Sequence, residues 1–182
     1  MSNTLDTLLD AAENSMRLRG YHAVSFRELA DELGIKSSSV HYYFRKKEDL
    51  GLALIDRYKE RFLAAIEAEI ADAKTAEQYV FAFTRVYRQA LTSSDKMCLC
   101  GLLGAESSGL PEPVASAVAS FFETNIDWLI AHLPAELPLA EGRKTAHHIV
   151  ATLQGAMMLA SSMGKHRVFD GAVQDLMASL DL

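Results

Sequence analysis

Apolar residues recur along this chain at intervals of three and four almost from end to end. Leu5, Leu8, Leu9, Ala12 and Met16 predict a first helix from Thr4 to Gly20, where the glycine ends it. Phe26, Leu29, Ala30 and Leu33 form one stripe, with Arg27, Glu28, Asp31 and Glu32 off it, and predict a second helix. Ser25 is placed to cap that helix, with Glu28 closing a capping box, and Gly34 followed by Ile35 is placed to end it. Ser37 is expected to cap a third helix that turns Val40 and Phe44 inward. Leu50, Leu54, Tyr58, Phe62, Ile66 and Ile70 then step by four along a fourth helix, from Lys47 to about Ala73.

Further helices are predicted over Glu77–Thr92, Met97–Ser107, Glu112–Leu133, Leu139–Met163 and Phe169–Leu180, with a polar loop from Ser93 to Lys96. No useful length of period-two alternation interrupts them, so strands are not expected. The fold class is therefore all-α, about nine helices. The short helices of residues 1–50 are expected to form a three-helix unit, and the longer ones of residues 51–182 a helical bundle.

Charge sharpens this division. The 182-residue chain carries a net −6. Between Arg17 and Lys47, however, stand seven Lys or Arg against three acids, a local +4 that leaves −10 for the remainder. A basic head on an acidic body would be steered onto DNA head first. The apolar content of 49% supports a packed core, and no run of about 18 apolar residues suggests a membrane span. The first residues lack the basic-then-apolar order of a secretory signal, so a cytoplasmic location is expected.

The third helix presents an outer surface of Ser38, Ser39, His41, Tyr42 and, in part, Tyr43. Small hydroxyl donors followed by long aromatic side chains suit a helix that enters a major groove. An αα-hairpin with a polar face is the plainer alternative. The succession Ser25-Phe26, Leu29-Ala30, Gly34-Ile35, Ser37-Ser38-Ser39, His41-Tyr42-Tyr43-Phe44 and Lys47-Glu48-Asp49-Leu50 resembles the TetR family of bacterial transcriptional regulators. Arg45-Lys46 stands where that family often has Pro-Ser, and His41 where Tyr is more frequent. The resemblance implies DNA contacts from Arg27, Lys36, Ser37, Ser38, Ser39, His41, Tyr42, Tyr43, Lys46 and Lys47, the last at phosphate. It also implies that the fourth helix links two domains, a helix-turn-helix DNA-binding domain of residues 1–50 and an effector-binding and dimerisation domain of residues 51–182.

Helices eight and nine read as an interface, since Ala151, Gly155 and Ala156 allow close helix approach. His148, Ala151, Thr152, Gly155, Leu159, Val173, Leu176, Met177 and Leu180 are the expected contacts, and the resemblance implies a twofold four-helix bundle in a homodimer. Phe83, Tyr87, Leu103, Phe122, Trp128 and Met158 are expected to line a mostly apolar pocket, with Glu106, Tyr87 or His147 as polar handles. Plain core is the competing reading of each.

Other chemistry finds little footing. The sequence holds no phosphate-cradling glycine loop, nucleophile elbow or spaced Cys/His set, so neither an enzyme, a metal site nor a cofactor is expected. Adjacent His147 and His148 diverge by about 100° on a helix and cannot share a metal. Cys98 and Cys100 read as small buried hydrophobes, although Cys98 to Glu106 with Pro111 resembles a stretch of a TetR subgroup that includes electrophile- and oxidant-responsive members. Only Lys96 is near enough in sequence to lower a thiol pKa. The expectation is a repressor released from a palindromic operator by a small, mostly hydrophobic ligand. A helical dimeric interaction protein with vestigial or non-specific DNA binding, and a regulator sensing through Cys98 and Cys100, are the alternatives.

Overall fold

A computed structural model describes residues 4–93 and 96–180, which leaves Ser94 and Asp95 of the expected polar loop outside the described residues. Among the described residues there are nine α-helices and no strand: α1 (Thr4–Arg19), α2 (Phe26–Leu33), α3 (Ser37–Tyr43), α4 (Lys47–Glu69), α5 (Ala76–Thr92), α6 (Leu99–Ala105), α7 (Glu112–His132), α8 (Leu139–Met163) and α9 (His166–Ser179). A 3-10 turn spans Ser107–Gly109. None of these helices is long and apolar enough to cross a membrane.

The all-α expectation holds, and the departures lie at helix ends. α4 stops at Glu69, four residues short of the expected Ala73. α5 begins one residue earlier than expected, because Thr75 caps it in a reciprocal box with Gln78. α6 is shorter than the apolar run that contains it, and the chain tightens into the 3-10 turn where two serines and a glycine follow.

The chain divides into two compact units, one comprising residues up to Lys59 with Leu99–Ala119, the other the remainder. In the first unit Leu8, Met16, Leu29, Val40, Leu50 and Leu54 are fully buried and clamp α1–α4 together. Arg57 on α4 reaches α1, 2.6 Å from Asp10 and 3.5 Å from Glu13. The second unit packs α5, α8 and α9 with the later part of α7. Its core is aromatic at the centre, where Phe62 makes edge-on contacts with Phe83, Tyr87 and Phe121.

Candidate DNA-reading head

The head is built from capping chemistry. Ser25 Oγ accepts the Glu28 amide at 3.2 Å, and Glu28 Oε2 accepts the Ser25 amide at 3.1 Å, so the expected capping box starts α2. Hydrogen bonding from the Ser25 hydroxyl, assisted by Arg19, holds the Glu28 carboxyl below its ordinary pKa. Gly34, with φ 64°, ends the helix, and Ile35 N–H closes onto Ala30 O at 3.0 Å.

The next turn differs by one residue from expectation. Lys36, not Ser37, occupies the cap position of α3, with extended backbone and no side-chain cap. Ser37 is therefore the first helical residue, exposed together with Ser38, while Ser39 is half-buried. Val40 and Phe44 do turn inward, at 0% and 6% exposure. Opposite them, Tyr42 is 82% exposed, and its ring makes only an edge contact with Tyr43 among the aromatic pairs of the head. His41 leans edge-on against Phe26, 4.9 Å between ring centres, which fixes its imidazole beside the serines.

The cations fall into two groups. Arg27, Lys36 and Arg45 extend into solvent, Arg27 being within 4.0 Å of Asp31. Lys46 pairs with Glu48, and Lys47 folds back. Its ammonium donates to His22 O at 3.1 Å and stands 4.6 Å over the Tyr21 ring, where burial lowers its pKa. One of its three N–H donors is thereby used.

Beneath the head lies a contact that the sequence did not announce. Glu106, expected as a polar handle of the ligand pocket, instead belongs to the first unit and accepts the Tyr21 amide at 2.9 Å. The neighbouring His22 Nε2 meets Gly109 O at 2.9 Å, so the α1–α2 connection is held at two adjacent residues by the segment after α6. Gly20 makes room for this. Its φ is 82°, and a Cβ there would stand 2.0 Å from Glu106 Oε1. A lone acid in an apolar helix was the available signal; its partner, 85 positions away, was not.

Leu103, like Glu106, lies in the first unit, whereas Phe83, Tyr87, Phe122, Trp128, His147 and Met158 lie in the second. Phe83 and Tyr87 are fully buried, and Phe83 stacks on Trp128 at 5.5 Å. Phe122 is half-buried and edges onto Phe121. Met158 and His147 are exposed: Met158, 51% accessible, shares the open face of α8 with Leu159 and Met163. The period of the helix places it one step beyond the buried line of Leu153, Ala156, Met157 and Ala160.

Of the expected interface residues, His148, Ala151 and Leu159 are exposed on that same face, and Thr152 and Gly155 are half-exposed. Leu176 departs, since it is 3% exposed and packed within its own unit. Val173 and Met177 line a surface groove of about 660 Å³ between α5 and α9, and Leu180 lines a second hollow beside His148. Cys98 and Cys100 are buried, at 1% and 0% exposure. Among the described residues no cluster of three metal-ligating side chains occurs.

Helical spacing assigns no role to Asn125 or Gln154, yet both bring polar groups into the second unit. Asn125 is 1% exposed within the apolar line of α7, and its Oδ1 has no hydrogen-bond partner. A lone amide among Phe121, Trp128 and Leu129 was the signal that could have found it.

Comparison with known proteins bears on the head first. Residues 8–54 match the model of a family described as bacterial regulatory proteins, tetR family. Transcriptional regulator AcuR of Cereibacter sphaeroides is 29% identical over 121 residues, 65% of this chain and 55% of that protein. The HTH-type transcriptional repressor ComR of Escherichia coli is 30% identical over 99 residues, 54% of this chain and 47% of that protein. The chain thus spans about half the length of these two curated relatives. A TetR transcriptional regulator from Legionella pneumophila, known as a crystal structure, matches with a TM-score of 0.92 and 27% identity over 100% of this chain and 99% of that one.

Proposed function

Because the chain belongs to the TetR family of bacterial regulatory proteins, we propose that it is a homodimeric, cytoplasmic repressor that binds a palindromic operator and is released by a small molecule. DNA reading is assigned to residues 1–50, and effector binding with dimerisation to residues 51–182. α3 enters the major groove, where Ser37, Ser38, Ser39, His41, Tyr42 and Tyr43 meet bases and sugar-phosphate. Arg27, Lys36 and Lys46 hold phosphates, and Lys47 adds to them with the donors that His22 leaves unused. The repressor sense follows the relative named as one.

The observation that carries this reading is the exposure of Tyr42, 82% accessible on a seven-residue helix whose only fully buried side chain is Val40. A phenol held away from its own core, beside three serines, is surface arranged for an outside partner. Dimerisation is assigned to the open face of α8, where Leu159, Met158 and Met163 are each about half exposed. A ligand of the second unit releases the operator only through its differential affinity for the DNA-competent and DNA-incompetent states.

Fluorescence anisotropy with DNA from upstream of the protein's own gene, against a scrambled duplex at physiological salt, tests the proposal. A specific-to-non-specific ratio of about 10³ or more is expected. A ratio near one on that DNA and on every sequence recovered from a random-library selection would overturn it, and would favour the interaction-protein alternative.

A further inference from the structure

The interior of the second unit contains hydrogen-bonding groups that its own fold does not use. Asn125 on α7 is 1% exposed, and its Nδ2 donates to Phe121 O at 2.7 Å, which fixes the amide's orientation and leaves Oδ1 without a partner. One helical turn on, Trp128 Nε1 is buried and also unpartnered. From α8, Gln154 meets the Tyr87 hydroxyl at 3.3 Å with one end of its amide and leaves the other end unpaired. A hydroxyl serves either sense, so Asn125 and Trp128 alone have fixed polarity: one acceptor and one donor.

These groups stand within one cluster of mutually contacting aromatic rings. Trp128 stacks on Phe83 with an interplanar angle of 18°, Tyr87 lies one turn along α5 and 5.3 Å from Phe83, and Phe62 and Phe121 close the far side. His132 covers the outer face of the indole at 4.0 Å and gives its Nδ1 to Trp128 O. A flat ligand is the shape that rings packed in this way would admit between them.

Equally telling is the lack of charge. Among the described residues of the second unit no charged side chain is buried; besides the Tyr87 hydroxyl, the buried polar side chains are Thr84 and Asn125, and the Thr84 hydroxyl already donates to Phe81 O at 2.7 Å. The nearby arginines lie outside and are paired: Arg85 with Glu69, Arg88 with Asp170, Arg143 with Glu123 and Asp127. A carboxylate, phosphate or ammonium brought into this cluster would lose its hydration and meet no lysine, arginine or carboxylate, while His132, stacked on the indole, already gives its Nδ1 to Trp128 O. A neutral planar group with an acceptor beside a donor would instead satisfy both orphaned atoms.

We infer that the effector is an uncharged, planar molecule carrying an amide-like acceptor and donor pair, which takes the Trp128 indole N–H and gives a hydrogen bond to Asn125 Oδ1. The inference rests on the ligand-released repressor reading and narrows the chemistry of its ligand. Anionic effectors, including free carboxylic acids at neutral pH, are excluded from this site.

The single tryptophan of the chain supplies the assay. Its one indole N–H resonance is followed in a 15N–1H spectrum of the intact protein while benzamide, benzoate or toluene is added. Benzamide, with millimolar-range affinity expected for so small a probe, should move the indole proton downfield and bind at least about tenfold more tightly than either control. Asn125→Leu should keep the melting temperature at or above the parent value, because an unpaired buried acceptor is removed. It should also abolish the preference for benzamide over toluene.

An indole resonance unmoved by benzamide would overturn the inference, as would equal binding of benzoate or of toluene. A folded Asn125→Leu protein that retains the benzamide preference would do the same. If Asn125→Leu fails to fold, the three-probe comparison on the parent protein decides alone. Operator anisotropy on the same sample separates the two levels: specific DNA binding without the indole response leaves the regulator standing and removes this ligand class. The indole response without specific DNA binding does the reverse.

Discussion

Gly20→Ala should be among the most damaging single-methyl additions available to this chain. Gly20 sits at φ 82°, in the left-handed region, and a methyl there would stand 2.0 Å from Glu106 Oε1. The backbone term alone costs about 1–2 kcal/mol for a residue with a β-carbon. Because Oε1 is the far end of a flexible side chain, the clash is relieved by swinging the carboxylate away rather than by compressing it. What is lost is then the 2.9 Å bond from Tyr21 N–H to Oε2, a bond to a charged acceptor worth about 1.5–3 kcal/mol. The expected total is about 2.5–5 kcal/mol, read as a fall in the urea midpoint at constant slope.

A double-mutant cycle isolates the mechanism. With Glu106→Ala already in place the carboxylate is gone, so adding Gly20→Ala should cost only the backbone term, about 1–2 kcal/mol. The coupling between the two positions should then be about 1.5–3 kcal/mol. An equal penalty for Gly20→Ala in both backgrounds would refute the account. The residue would then matter for its backbone angle alone, and the Glu106 contact would carry no energy.

Four other outcomes follow from the head and from α8. Tyr42→Ala should leave the melting temperature within about 1 °C, since the ring is 82% exposed, yet weaken specific operator binding by tenfold or more in anisotropy. Lys47→Ala should instead weaken binding to all sequences and reduce the salt slope by about one, because one phosphate contact is lost. Ser25→Ala removes the α2 cap and should cost about 1 kcal/mol at neutral pH. Glu28 has a lowered pKa in the fold, so its contribution is present above the ordinary carboxylate range and is lost as pH falls through the lowered value. Chemical denaturation across that acid range should show the parent losing its advantage over Ser25→Ala. Leu159→Glu, at a residue 50% exposed on α8, should give a folded monomer by analytical ultracentrifugation; an unchanged dimer would move the interface elsewhere.

Most of the architecture was legible because a helix shows its buried face at a fixed period. Val40 and Phe44, or Phe83 and Tyr87, could be placed inward from spacing alone, and the Ser25–Glu28 box could be read from residue types three apart. Errors arose where two residues of similar chemistry compete for one face or one end. Met157 and Met158 are adjacent and equally apolar, yet the first is fully buried and the second is half in solvent, because 100° per residue separates them on α8. Lys36 displaced Ser37 as the cap of α3, since a two-residue link from Gly34 leaves the chain extended at Lys36 and already helical at Ser37.

Partnerships across long separations were the other limit, and Gly20 brings the two kinds of information together. Helical periodicity identifies it as the end of α1, and its local bond, Gly20 N–H to Met16 O at 2.9 Å, needs nothing more distant. Read that way, an Asn could stand in its place at modest cost. The carboxylate that arrives from Glu106 adds a demand that no local rule contains: the position must tolerate φ 82° and also carry no β-carbon. Gly20→Asn therefore separates the two demands. It satisfies the local preference for a left-handed residue but still collides with Oε1, so it should destabilise nearly as much as Gly20→Ala in the parent and far less once Glu106 is Ala. If Asn were tolerated in both backgrounds, the α1–α2 turn would be governed by its own sequence, and the segment after α6 would only rest against it.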